Sequence, residues 1–155
     1  MEEIIVGSDH AGFVLKEAIK PSLFARGLTV IDAGTHDESP VDYPDIGAVV
    51  AERVVSGEFA RGILICGSGV GMSIVANRYH GARAALCLDE ETALLSRLHN
   101  DSNILVLAGR RTATERAWAI LDVWLRTPFS GERHESRLDK IRDLEAALCR
   151  KYSIP

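Results

Sequence analysis

Two short stretches of this 155-residue chain bring chemically able side chains together. Gly7-Ser8-Asp9-His10-Ala11-Gly12 sets a carboxylate beside an imidazole, a pairing suited to proton transfer and to holding an anion. An ordinary reading stands beside it, in which Asp9 caps a helix and His10 is simply exposed. The second stretch, Cys66-Gly67-Ser68-Gly69-Val70-Gly71, places a thiol ahead of three glycines in five positions. Such glycines let the backbone turn tightly with its N–H groups inward, at the positive end of a helix, where an oxyanion or phosphate is cradled. A thiol there is driven toward thiolate, the form that acts as base or nucleophile. Its bland alternative is a buried strand cysteine, which is how Cys87 reads. The loop is not a Walker A loop, since no Gly-Lys-Ser/Thr follows, and it lacks the dinucleotide spacing and position.

The elements that must position these residues follow from periodicity. Short β-branched or apolar runs at Glu3–Gly7, Leu28–Asp32, Gly62–Cys66, Ala82–Cys87 and Ile104–Ala108 alternate with segments of helical period, the pattern of right-handed βαβ units and a mostly parallel sheet. Helices are expected over Gly12–Arg26 with Gly27 closing it and Pro21 a candidate kink, over Asp45–Ser56 after Pro44, and from Gly69 through Ile74, Val75 and Tyr79. Others should run from Asp89 to His99, and over Thr114–Arg126 with Trp118, Leu121 and Leu125 on one face. A last helix carries Leu138, Ile141, Leu144 and Leu148 at three- and four-residue steps. That stripe needs a cover, either the domain's own sheet or a second subunit. The fold class is α/β, a three-layer α/β/α sandwich with a five-stranded, mostly parallel Rossmann-like sheet, in one domain over 1–155. In such a sheet ligands bind beyond the carboxyl ends of the strands, where both motif loops fall.

Composition bounds the function. Hydrophobic residues at 46% and charged residues at 26% supply a globular core and leave no case for disorder. Eighteen basic against 22 acidic residues, net −4, argue against an electrostatic nucleic-acid binder. The balance is uneven, because residues 101–155 carry ten basic against eight acidic residues, with Arg110, Arg111, Arg133 and Arg137 among them. An anionic small molecule would suit them, and solvated helix faces are the plainer account. Cys66, Cys87 and Cys149 are odd in number, far apart and without metal-ligand spacing, so no metal site and a reducing, cytoplasmic setting are expected. No apolar run approaches a membrane span, and the first residues enter a strand pattern at once, so no signal peptide is expected.

The chain resembles type B ribose-5-phosphate isomerase, within the family that also holds galactose-6-phosphate and allose-6-phosphate isomerases. The resemblance rests on the two loops with Asp42-Tyr43-Pro44, the strand Gly62-Ile63-Leu64-Ile65 ahead of Cys66, Ala76-Asn77, His99-Asn100-Asp101 with Asn103, and Gly131 to Arg137, in that order and spacing, and it covers about residues 1 to 148. It implies an aldose–ketose isomerase that needs no cofactor. Cys66 is then the base, Ser68 and the N–H groups of Gly67, Gly69 and Gly71 stabilise an enediolate, and His99 opens the sugar ring with help from Asp9. Asn100 and Tyr43 orient hydroxyls, while His10, Arg110, Arg133 and Arg137 hold the phosphate. One branch of the family carries a glutamate where this chain has Met72, which places this chain in the thiol branch. His36, His80 and Cys149 are left structural.

The resemblance also implies a homodimer, or a dimer of dimers, with the site shared between subunits. Topology favours the same, because His99 precedes strand five while Cys66 follows strand three. The partner is a small sugar phosphate, with neither nucleic acid nor membrane. Rival readings are an isomerase of another sugar phosphate, such as allose 6-phosphate, galactose 6-phosphate or a tetrose phosphate, and a non-catalytic sugar-phosphate sensor on the same fold. A flavodoxin-like nucleotide binder lacks the motifs it would need.

Overall fold

The computed structural model describes residues 2–152. Five strands, β1 (Glu3–Ser8), β2 (Thr29–Asp32), β3 (Gly62–Cys66), β4 (Ala84–Leu86) and β5 (Ile104–Ala108), form one sheet in the order β2-β1-β3-β5-β4, and every neighbouring pair is parallel. The three central strands are continuous apolar runs because both faces are covered. Alternate residues serve opposite layers. Ile4, Val6, Ile63, Ile65, Leu105 and Leu107 pack with α1 (Phe13–Ala25), α4 (Glu90–Asn100) and α5 (Thr114–Arg126), whereas Ile5, Leu64, Cys66 and Val106 pack with α2 (Tyr43–Val55) and α3 (Val70–Ala76). The expected three-layer sandwich is therefore present, and its sheet is wholly parallel among the described residues.

Helix α1 leaves β1 on one face and α3 leaves β3 on the other, so the winding reverses between these adjacent strands. Such a reversal opens a crevice at the carboxyl edge of the sheet. After α5 the chain turns through a single 3₁₀ turn, Glu132–His134, into α6 (Glu135–Tyr152). Only Leu138 of its stripe is buried; Ile141, Leu144 and Leu148 are 46%, 58% and 40% exposed. The domain's own sheet does not cover that stripe. No helix among the described residues is long and apolar enough to cross a membrane.

Boundaries differ from the sequence reading where side chains stand in for backbone. The fourth strand shrinks from Ala82–Cys87 to Ala84–Leu86, because Asn103 Oδ1 takes the Arg83 N–H and Asn77 Oδ1 takes the Ala84 N–H. Helix α3 stops at Ala76, short of Tyr79, with the Asn77 amide donating to Ser73 O and Ala84 O. Pro21 lies inside α1 without ending it. The buried stripe of α5 is Ala117, Ile120, Leu121 and Trp124, while Trp118 sits at its margin and donates to Ala18 O.

Candidate active site

The crevice at the winding reversal is built by loops that approach one another closely. Beyond β1, Asp9 is buried and its Oδ1 accepts the Gly12 N–H at 3.0 Å, so the carboxylate braces the turn that leads into α1. A Cβ on Gly12 would lie 2.5 Å from the Ile65 carbonyl oxygen; only glycine lets α1 begin against β3. Cys66 ends β3 with 4% of its surface exposed. Its carbonyl accepts the Gly109 N–H at 2.8 Å, and the Gly67 carbonyl accepts the Arg110 N–H at 3.0 Å, which carries Arg110 over from β5. Gly69 adopts a φ of 77° and turns the chain into α3, whose first N–H groups have no intrahelical acceptor.

Asp9, His10, Tyr43, Cys66, Ser68 and Arg110, with the backbone of Gly67 and Gly71, surround a cleft of about 300 Å³. The Tyr43 ring lies against Gly71. His10 Nδ1 sits 3.2 Å from both the N and the O of Val41, so one ring nitrogen is occupied by backbone and Nε2 has no partner among the described residues. A thiol, a carboxylate, a phenol, a hydroxyl, an imidazole and a guanidinium thus meet at one mouth. That set can move protons on a polyol and hold an anion.

The remaining expected site residues gather elsewhere. His99 lies in the last turn of α4, at the edge where β5 begins, and its ring stacks on His134 with centroids 4.2 Å apart and planes 9° from parallel. Arg133 and Arg137 stand on either side of His134. Asn100 closes α4 and lines a different cavity, of about 420 Å³, between α4, β4 and α6. The five residues of β3, at about 3.3 Å each, separate the two edges by about 16 Å. Within one chain, then, Cys66 and His99 belong to separate clusters, and the four expected phosphate holders divide into His10 with Arg110 and Arg133 with Arg137.

Sequence reading missed His134. The signal was available as an imidazole directly after Arg133 and one turn before Arg137. Asp101, which follows His99 and Asn100, has a φ of 45° and accepts hydrogen bonds from Arg83 and Arg97, which fix the end of α4. Cys87, read as a buried strand cysteine, is fully buried and burial pushes its thiol up to about 11. Among the described residues no cluster of three or more His, Cys, Asp or Glu could hold a metal ion.

Residues 4–141 match the family described as ribose/galactose isomerase. The chain belongs to the ribose/galactose isomerase family. Relatives of that family resemble it over nearly their whole length. Ribose-5-phosphate isomerase B of Escherichia coli strain K12 is 45% identical over 145 residues, 94% of this chain and 97% of that protein. The solved structure of Clostridium thermocellum ribose-5-phosphate isomerase B is 49% identical and superposes with a TM-score of 0.92, covering 94% of this chain and 99% of that one. Ribose-5-phosphate isomerase B of Mycoplasma genitalium, solved with bound ribulose-5-phosphate, is 38% identical with a TM-score of 0.88, covering 93% and 96%. The fold of the family and the fold described above are the same.

Proposed function

We propose that this chain interconverts ribose 5-phosphate and ribulose 5-phosphate. The observation that carries the reading is the Cys66 thiol at the floor of a cleft ringed by Asp9, Tyr43, Ser68 and Arg110; membership in a family whose relatives bear that activity in their names supports it. In the open-chain aldose, the Cys66 thiolate takes the proton from C2, and the electron pair moves into a C1–C2 double bond as the carbonyl oxygen becomes an enediolate oxygen. Ser68 and the loop amides stabilise that charge. A proton passes between the two enediolate oxygens, the thiol, whose proton exchanges with water while the enediolate is bound, delivers a proton to C1, and the carbonyl re-forms at C2. Atoms and electrons balance without a redox partner.

Ring opening falls to His99, and the gap of about 16 Å between sheet edges supports a site to which a second copy of the chain brings it. Two-fold symmetry then builds two sites from two chains. Because Arg133 and Arg137 surround the ring stacked on His99, the subunit that opens the ring also supplies these two phosphate ligands, while its partner supplies Cys66, Asp9, His10 and Arg110. The exposed Ile141, Leu144 and Leu148 of α6 are suited to such an interface.

The test is solvent exchange. Incubation with ribose 5-phosphate in deuterium oxide should place deuterium on the isomerised carbon, and Cys66→Ala should bind the sugar phosphate while kcat falls about 10²–10⁴-fold, the usual contribution of a general base. Binding with neither exchange nor isomerisation by the unsubstituted protein would mark it as a sensor. Aldose phosphates of four to six carbons, ranked by kcat/KM, would settle whether the pentose is preferred.

A further inference from the structure

His134 is an unassigned side chain in the second cluster, and its surroundings are specific. It is buried, 7% exposed. One face lies flat on His99 at 4.2 Å. Its edge points both nitrogens at guanidinium groups: Nε2 is 3.5 Å from Arg133 Nε and Nδ1 is 3.4 Å from an Arg137 terminal nitrogen. The approach to it is built with care. Ser130 donates both its N–H and its hydroxyl to the Leu98 carbonyl, one residue ahead of His99, and Arg97 Nε donates to the Thr127 carbonyl. Gly131 and Glu132 then both take positive φ, 66° and 50°. A non-glycine residue in that region carries strain, tolerated where the surroundings impose it, and here it delivers Arg133 and His134 onto the end of α4.

We infer that His134 is a positioning residue that locks the His99 imidazole and the Arg133–Arg137 pair into one rigid unit. The two contacts do different work. Stacking fixes the plane of the ring that must exchange a proton with the sugar-ring oxygen. The edge nitrogens hold the guanidiniums apart at a spacing that leaves donors for an anion. Burial first, then His99, Arg133 and Arg137, opposed by Glu132, hold His134 below the ordinary imidazole range, which keeps it neutral. A neutral imidazole has one in-plane lone pair, so it accepts fully from one arginine and leaves the other free for the phosphate. Ring opening and phosphate binding are thereby aligned by a side chain that touches neither.

This inference rests on the roles proposed above for His99 and the arginines, and two variants separate its parts. His134→Phe keeps a flat ring and removes both nitrogens; kcat for ribose 5-phosphate should stay within about threefold, while KM and the inhibition constant for inorganic phosphate rise together. His134→Asn keeps polarity and removes the stack; kcat should fall about tenfold or more, in keeping with the cost of misplacing a reacting group by about 1 Å. In the His99→Ala background, His134→Asn should cost nothing further in kcat, since non-additivity marks residues that act as a unit. Equal losses of kcat and KM in both variants that follow their melting temperatures, or full additivity with His99→Ala, would overturn the inference and leave His134 as packing. Wild-type kcat in His99→Ala alone would instead overturn the ring-opening role on which it rests.

Discussion

Lys16 is completely buried and gives its ammonium to both carboxylate oxygens of Asp32, at 2.5 and 2.6 Å. Asp32 also accepts from Lys20 at 2.9 Å and from the Gly34 N–H at 2.9 Å. The Gly34 carbonyl in turn takes the Ser8 N–H, and the Thr35 N–H reaches the Ser8 carbonyl. One ion pair therefore ties α1, the end of β2 and the strand end that carries Asp9.

Removing the carboxylate leaves the buried Lys16 ammonium with only the half-exposed Glu17 carboxylate, 3.4 Å away. Asp32→Ala should lower stability by about 3–5 kcal/mol, the range for breaking a buried pair from one side, read by denaturant melts. Burial works against the Asp32 charge, yet the bonds from Lys16, Lys20 and Gly34 outweigh it and hold the carboxyl below its ordinary value of 3.8. The unfolded chain then takes up this proton first as pH falls, so the contribution is complete above about pH 4 and is lost as pH drops through the lower folded value. Melts of wild type between pH 6 and 2 should show that loss, and Asp32→Ala should show less of it.

Gly71→Ala tests the placement of Tyr43. An added Cβ would stand 2.7 Å from Tyr43 Cε2, and because Tyr43 is 39% exposed its ring has room to swing outward. Melting temperature should hold, since alanine favours the helix, while KM for ribose 5-phosphate rises about three- to tenfold, the equivalent of one hydrogen bond. Adding Gly71→Ala to Tyr43→Ala should change KM no further.

Mixing inactive Cys66→Ala and His99→Ala proteins under conditions that exchange subunits tests the shared site. Each mixed dimer would hold one intact and one doubly damaged site, so random exchange should restore about a quarter of wild-type activity by two-fold symmetry. No recovery after exchange is verified by mass would confine the site to one chain.

Cys87 should resist alkylation. Burial, with the charge of Asp89 beside it, raises its thiol to about 11 against a weaker pull from Ser96, so iodoacetamide at pH 8 should leave it unmodified until the protein unfolds. Peptide mapping before and after guanidinium treatment measures this; rapid labelling of folded protein would contradict its burial.

Much of this architecture was legible in the residues. Ile4-Ile5-Val6 and Ile63-Leu64-Ile65 announce strands covered on both faces, and Asp89 caps α4 as its position suggests, accepting the Thr92 N–H at 2.7 Å. What escaped depends on contacts distant in sequence. Nothing local marks Asn77 or Asn103 as surrogate strand partners, so the run Ala82–Cys87 is longer than the strand Ala84–Leu86 it forms. Trp118 satisfies helical period yet lies at the margin, because Trp124 takes the fully buried place and donates to Ser102. The thiol and glycines proposed for the chemistry stand together in the sequence of the Cys66 loop. His134 has no such local signature, because the face of His99 on which it stacks is brought to it only by folding.

The asparagine at the outer side of β4 has one more effect. Asn77 bonds both the N–H and the C=O of Ala84, and those are the groups through which a foreign strand would begin to pair. Unprotected borders of this kind nucleate fibrous association. Here a single carboxamide mimics the neighbour that is missing, so at Ala84 the outer edge of the sheet holds no free backbone pair on which runaway polymerisation could start.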